Sequence, residues 1–120
     1  MKILVTGGAG YIGSHTCIEL IKAGYDVVVV DNLCNSSLES LRRVESLVGC
    51  NIPFHEVDVR DKAALTQVFK QHSIDGVMHF AGLKAVGEAE KNPLDYYDNN
   101  VSGSISLINA IKKNKVKKIV

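Results

Sequence analysis

Lys2-Ile3-Leu4-Val5-Thr6 runs directly into Gly7-Gly8-Ala9-Gly10-Tyr11-Ile12-Gly13, and after a helix-like stretch the chain reaches Asp26-Val27-Val28-Val29-Val30-Asp31. The order is strand, glycine turn, helix, strand, acid. A short apolar strand delivers the chain to a tight turn. Glycines there let the backbone approach an anion without an intervening Cβ. The turn opens a helix whose first N–H groups and positive dipole end face that anion. Asp31 closes the second strand 18 positions after Gly13, near the spacing of about 20 at which a carboxylate meets ribose hydroxyls. No arginine stands beside it, so a free 2′-hydroxyl is expected and a 2′-phosphate is disfavoured. A lone glycine triplet is a weak signal. Placed between a strand and a helix, with the acid in position, it points to a dinucleotide.

Working outward, strands alternate with helices. Further strands are read at Pro53–Val59 and Gly76–Ala81, and residues 117–120 begin a fifth. This pattern predicts an α/β fold, a Rossmann-type doubly wound parallel sheet with helices on both faces. Val27–Val30 is apolar at every position, as a strand covered on both faces requires. The first helix spans Gly10 to Ala23, with Gly24 as its stop signal. Ser36-Ser37-Leu38-Glu39 has the capping-box pattern with Ser36 as N-cap, followed by Leu38, Leu41, Val44 and Leu47 on one stripe. Asp61 caps a third helix that turns Leu65, Val68, Phe69 and His72 inward. Asn92-Pro93 opens a fourth, about 22 residues long, with an inward stripe of Leu94, Tyr97, Val101, Ile105, Ile108 and Ile111. Tyr96, Leu107 and Ala110 lie off that stripe and predict an exposed apolar flank.

Composition narrows the function. The 120 residues, 46% of them apolar, suffice for one domain and its core. A net charge of +1 argues against nucleic acid or an anionic membrane surface as partner. No apolar run reaches the length of a bilayer span, and a strand leading into a glycine turn does not read as a signal peptide. Cys17, Cys34 and Cys50 are odd in number and lack metal-ligand spacing, so reduced thiols in a cytoplasmic protein are expected, with neither disulfide nor metal site. Lys117-Lys118-Ile119-Val120 reads as half a strand, and the chain is expected to be the front part of a longer protein.

In an open parallel sheet, ligands lie beyond the carboxyl ends of the strands. Four segments qualify: the glycine turn, the loop after Asp31, Asp58-Val59, and Phe80-Ala81-Gly82-Leu83-Lys84. Asp58 is either a solvated strand-end acid or an acceptor for an exocyclic adenine amine. Gly82 is a turn glycine or a close-approach point. Lys84, just past the fourth strand, is placed to reach a pyrophosphate. His79 reads as a satisfied core residue, and His15, His55 and His72 have no partner at metal-ligand spacing. The lysines at 112, 113, 115, 117 and 118 complement the negative end of the fourth helix. Catalytic chemistry is missing. A tyrosine activated by a lysine four residues on would serve as base, but Tyr11, Tyr25, Tyr96 and Tyr97 are followed at that spacing by His15, Val29, Asn100 and Val101.

The GxxGxxG spacing of Gly7, Gly10 and Gly13 resembles the short-chain dehydrogenase/reductase superfamily, and the Tyr11-Ile12 insert its extended branch. Gly7 through Thr16, Asp31 through Ser36, His79 through Glu88 and Pro93 through Val101 together resemble the UDP-glucose 4-epimerase family, over essentially the whole chain. Phe80 through Glu88 is the most discriminating piece. The resemblance implies tightly bound NAD and interconversion of UDP-galactose and UDP-glucose by reversible hydride transfer at sugar C4. It implies cofactor contacts at Gly7, Gly10, Tyr11, Ile12, Gly13, Asp31, Asn32, Leu33, Cys34, Asn35, Ser36, Asp58, Val59, Phe80, Ala81, Gly82, Leu83, Lys84 and Asn99. Lys84, Ala85 and Val86 would lie near the sugar nucleotide. The family's Tyr-x-x-x-Lys pair would follow Val120, leaving no catalytic residue in this chain, and a homodimer would form through the helix that begins near Pro93. A sugar-nucleotide dehydratase or reductase, or a non-catalytic NAD-binding module, is the alternative reading.

Overall fold

A computed structural model describes residues 1–120. Four parallel strands, β1 (Lys2–Thr6), β2 (Asp26–Asp31), β3 (Phe54–Glu56) and β4 (Gly76–His79), lie side by side in the order β3-β2-β1-β4. The register sets Leu4 against Val28 on one side and Val77 on the other. Beyond β4 the chain returns at residues 118–120, where Val77 N–H donates to Lys118 O at 2.9 Å and His79 N–H to Val120 O at 2.8 Å. This is the fifth parallel segment expected from the sequence. The helices are α1 (Tyr11–Lys22), α2 (Leu38–Val48), α3 (Lys62–Gln71), α4 (Val86–Lys91), α5 (Pro93–Tyr97) and α6 (Gly103–Lys113). A π-helical turn over Asp98–Ser102 joins α5 to α6.

Strand alternation divides the core in two. Leu4, Val28, Val30 and Val77 pack against Leu65, Val68 and Phe69 of α3 and Leu107, Ala110 and Ile111 of α6. Ile3, Val5, Val27 and Val29 face the other way, onto Cys17 of α1 and Leu41 and Val44 of α2. Both faces of β2 are therefore dry, which is why its sequence is an unbroken valine run. Leu4, Leu65 and Leu107 are wholly buried, each contributing roughly 1.5–3 kcal/mol. Burial also pushes the Cys17 thiol up to about 12, so it packs as an inert hydrophobe.

Several local readings are corrected. Strand β3 is shorter than Pro53–Val59 because the chain turns at Asp58, whose carbonyl accepts from Asp61 N–H at 2.9 Å. The N-cap of α2 is Ser37, which accepts from Glu39 N–H; the Ser36 hydroxyl donates to Asp31 instead. Leu47 of the expected α2 stripe is exposed. Asp61 does cap α3, accepting from the N–H groups of Ala63 and Ala64. His72 ends outside α3, with its Nε2 at 2.8 Å from that of His55.

The largest correction concerns the long fourth helix. Leu94, Tyr97, Val101, Ile105 and Ile108 face outward, at 48–80% exposure. The buried side is Asn99, Gly103, Ser106, Leu107, Ala110 and Ile111. The more apolar stripe is thus the outer one. The inner side mixes small residues with Leu107 and Ile111, and its start lies close to the loop after β3: a Cβ at Gly103 would stand 2.9 Å from the Val59 side chain. The expected exposed apolar flank exists, but on the opposite face of the helix from Leu107 and Ala110.

Candidate dinucleotide site

The carboxyl edges of the strands open onto one cleft of about 250 Å³. It is lined by the glycine turn (Gly7, Gly10, Tyr11, Ile12, Gly13), by Asp31, Asn32, Cys34, Asn35 and Ser36 after β2, by Val59, by Phe80 through Lys84 after β4, and by Asn99. Val30 and Val57, which the sequence reading did not include, add to its floor. Leu33, Asp58, Ala85 and Val86 do not line it. Leu33 adopts φ +57 and packs against the core on the α1–α2 side. Val86 is exposed at the start of α4, outside the cleft.

At the glycine turn the geometry explains the residue types. A Cβ on Gly7, whose φ is +68, would stand 2.6 Å from Ala81 N and 2.8 Å from Phe80 C. A Cβ on Gly13 would overlap the Gly7 carbonyl oxygen and stand 2.8 Å from Gly8 Cα. These two glycines therefore let the turn, the helix start and the segment after β4 close against one another. No side chain caps α1, and the N–H groups of Tyr11, Ile12 and Gly13 have no acceptor in the protein. Three unpaired donors at a positive helix end, facing a cleft, form an anion cradle.

Asp31 is almost entirely buried. Its Oδ2 accepts from Ala9 N–H at 3.0 Å, and its Oδ1 accepts from Leu33 N–H and Ser36 Oγ, both at 2.9 Å. A carboxylate offers about four acceptor sites, so one remains for a ligand hydroxyl where two were expected from the sequence. Asp58 is more fully engaged. Its Oδ1 accepts from Arg60 N–H at 2.9 Å and Nε at 3.0 Å, and its Oδ2 from Arg60 Nη2 at 2.8 Å and Asn32 Nδ2 at 3.1 Å. The Arg60 guanidinium holds this carboxyl far below the usual carboxylate range. An adenine amine could reach it only by displacing a donor. Arg60 also donates to Asp98 at 2.7 Å, tying this loop to the π-helical turn.

The segment after β4 hangs on a directed hydrogen-bond chain. Ser104 Oγ donates to Asn100 O at 2.6 Å, so its lone pair receives His79 Nε2–H at 3.1 Å. His79 Nδ1 then accepts from Thr6 Oγ1 at 2.6 Å, and Thr6 Oγ1 accepts from Ala81 N–H at 3.3 Å. Burial pushes the His79 pKa down, which favours this neutral form of the ring. The sign follows: the unfolded chain binds this proton more readily than the folded one. The stability contributed by neutral His79 is present above about pH 6.5 and lost as pH falls toward the lower folded value. Denaturant midpoints are expected to decline below about pH 6.5, above the range where carboxylates titrate. His79→Gln should remove its own share of that decline and leave the share from His72, whose pKa burial and the neighbouring His55 also push down; an unchanged profile would refute the assignment. Lys84, in contrast, is exposed at the cleft rim.

Sequence and structure comparisons converge on this architecture. The model of the NAD dependent epimerase/dehydratase family matches residues 3–120. The chain belongs to that family. It is 59% identical over 119 residues to a UDP-glucose 4-epimerase of Dictyostelium discoideum, covering 99% of this chain and 35% of that protein. A UDP-glucose 4-epimerase of Klebsiella pneumoniae is 51% identical over 120 residues, of which the chain covers 86%. Among solved structures, the Bifidobacterium longum UDP-glucose 4-epimerase in complex with NAD+ and UDP superposes with a TM-score of 0.97 at 51% identity. That match covers 99% of this chain and 36% of the other. The chain thus spans about a third of the length of most of these family members. The family description accords with the cleft: a nucleotide-sized groove with unpaired amides at one helix start and a partly free buried carboxylate 18 positions on.

Proposed function

We propose that this chain is the cofactor-holding part of an NAD-dependent UDP-glucose 4-epimerase. The longer protein would interconvert UDP-galactose and UDP-glucose by reversible hydride transfer at sugar C4. The observation that supports this is the cleft itself, lined by Tyr11–Gly13, whose amides have no acceptor in the protein and suit a pyrophosphate, and by Asp31, which keeps one acceptor site that suits a ribose hydroxyl. NAD, when bound, supplies the hydride acceptor. The residues here bind and orient it, and the base comes from elsewhere, since no tyrosine in the 120 residues has a lysine four positions on. Relatives named UDP-glucose 4-epimerase at 51–59% identity favour this over a dehydratase or a reductase. The three cysteines are free, in keeping with a reducing cytoplasm. No helix is long and apolar enough to cross a membrane.

The test uses the full-length protein. Loaded with NAD it should convert UDP-galactose to UDP-glucose, and NADP should bind far more weakly because the Asp31 carboxylate repels a 2′-phosphate. Equal affinity for both cofactors, or no turnover, would sink the reading. Lys84→Ala should leave the ligand-free melting temperature nearly unchanged. It should weaken NAD or UDP-glucose binding by roughly 1.5–3 kcal/mol, the scale of one charge-assisted hydrogen bond. Wild-type affinity for both ligands would make Lys84 an ordinary surface residue.

The outward apolar face of the long helix supports a homodimer as part of the same reading. Leu94, Tyr97, Val101, Ile105 and Ile108 form a continuous exposed stripe, of the kind an isologous helix pairing buries. A monomeric mass by sedimentation of the full-length protein at micromolar concentration would remove this part.

A further inference from the structure

Two histidines 17 positions apart in the sequence meet outside the cleft. His55 is the middle residue of β3 and stands beside Val30 in register, on the face that α3 covers. His72 is the first residue past α3. Their Nε2 atoms are 2.8 Å apart. The rings meet tip to tip, with centroids 5.1 Å apart and planes at 72°. One Nε2 must carry a hydrogen and the other a lone pair, so a single proton holds the two rings together. Burial, then His55 and the Lys2 ammonium, push the His72 pKa down. That favours the neutral ring, the form in which imidazole ligates metals. Both rings are half-buried, which leaves each an open flank. No carboxylate lies within ion-pair range of either.

We propose that His55 and His72 form a two-imidazole site for a divalent transition-metal ion of the Ni2+ or Cu2+ class, with water completing the coordination. At metal–nitrogen distances of about 2.0–2.1 Å, two nitrogens 2.8 Å apart subtend about 85–90° at the ion. That is the angle between neighbouring ligands in the tetragonal geometry of Cu2+ and Ni2+. A tetrahedral ion needs the nitrogens about 3.3–3.4 Å apart at the same bond length, so zinc fits this spacing less well. The two Nε2 atoms now point at each other. Each ring has to swing toward its open flank to aim at a shared ion, which then takes over the task of the shared proton. Neutral nitrogen ligands do not suit Mg2+ or Ca2+, which take oxygen. Lys2 opposes any cation here, and two ligands hold less tightly than three or four. The ion would tie β3, an edge strand paired only with β2, to the end of α3. The proposal is independent of the cofactor reading, since neither histidine lines the cleft.

Ni2+ is the probe, because it does not oxidise thiols as Cu2+ does, and Cys34 and Cys50 are exposed. The test uses the untagged full-length protein, stripped of metal by a chelator that is then removed. Ni2+ binding is read by titration calorimetry at pH 7.5, with melting temperatures taken with and without the ion. His55→Gln and His72→Gln are the variants. Glutamine keeps a donor and an acceptor for the partner ring, but its amide is a poor ligand for these ions. The parent should bind one equivalent of Ni2+ that each variant holds at least about tenfold more weakly, the loss that even an outer-shell partner causes. Ni2+ should raise the melting temperature of the parent and raise that of each variant by less. Binding at the cysteines or elsewhere in the longer chain survives in both variants and cancels from the comparison. In the parent, the His55 and His72 ring resonances should broaden first at substoichiometric Ni2+, a readout that requires no variant to fold. Zn2+ should bind the pair more weakly than Ni2+, and Mg2+ should not bind it. The proposal is overturned by unchanged Ni2+ binding in either variant, by ring resonances that stay sharp, or by Mg2+ matching Ni2+. Zn2+ binding the pair more tightly than Ni2+ would overturn the assignment to the Ni2+ and Cu2+ class.

Discussion

Asp31→Asn is expected to cost the fold roughly 2–3 kcal/mol and NAD affinity at least about a hundredfold, from one atom exchanged for another. The carboxylate is nearly buried and accepts three hydrogen bonds from the protein: from the glycine turn through Ala9, and from the following loop through Leu33 and Ser36. An amide cannot serve both sides. If its nitrogen replaces Oδ2 it meets the Ala9 N–H; if it replaces Oδ1 it meets two donors. Leaving one buried donor unsatisfied costs about 1–3 kcal/mol, and bonds to a charged acceptor lie at the upper end of the range. The turn that carries the Tyr11–Gly13 amides then loses its anchor to β2, so ligand affinity falls by more than the ribose bond alone. Ser36→Ala is the milder comparison. It removes one donor and leaves the charge, and should cost about 1 kcal/mol. Urea midpoints and calorimetry with NAD measure both. A variant with unchanged stability and lost binding would show that the carboxylate serves the ligand alone. Unchanged binding would remove Asp31 from the site.

Most of the architecture was legible because it follows from short-range chemistry. The apolar run Val27–Val30 can exist only where both faces of a strand are covered, and so it announced a parallel sheet. The glycine spacing announced the turn. What the sequence concealed were preferences settled by close packing. Reading the apolar stripe of the long helix as its inner side failed because Gly103, Ser106 and Ala110 let the helix settle onto the sheet, leaving the larger residues outside. The choice of Ser37 over Ser36 as cap depended on Asp31 claiming the Ser36 hydroxyl.

The candidate site was legible in its segments and less so in its wiring. Every segment named from the carboxyl-edge rule contributes to the cleft, yet Asp58 turns its oxygens to Arg60 and Asn32. Arg60 carries no motif signature, and its role depends on a neighbour two residues away bending back on it. Thr6, Ser104 and Asn100 likewise escaped notice. They sit in a strand and a helix as ordinary polar residues, and only the fold brings them to His79 and Leu83. The Asn99-Asn100 pair was the one available signal, two poor helix formers in the middle of a helical pattern.

Gly13→Ala should be the most damaging single methyl that can be added to this chain, at about 3 kcal/mol or more. The new Cβ would overlap the Gly7 carbonyl oxygen and press on Gly8 Cα, and both obstacles are backbone. A flexible side chain could swing aside; a turn held by Asp31 and by Gly10 N–H to Gly7 O at 3.1 Å cannot. Moving Gly7 is also blocked, because it already lies against Ala81 and Phe80 with no room for a Cβ of its own. Overpacking of this kind typically costs 1–3 kcal/mol and more where nothing yields. Gly87→Ala provides the contrast. Nothing stands within 4 Å of a Cβ there, the residue is in α4, and alanine should stabilise by up to about 0.5–1 kcal/mol. Denaturant unfolding of the two variants beside the parent decides the matter. If Gly13→Ala fell within about 0.5 kcal/mol of the parent, the range of ordinary surface substitutions, the turn would be looser than its contacts require, and the close approach of helix start, glycine turn and Leu83 segment could not be what shapes the cleft.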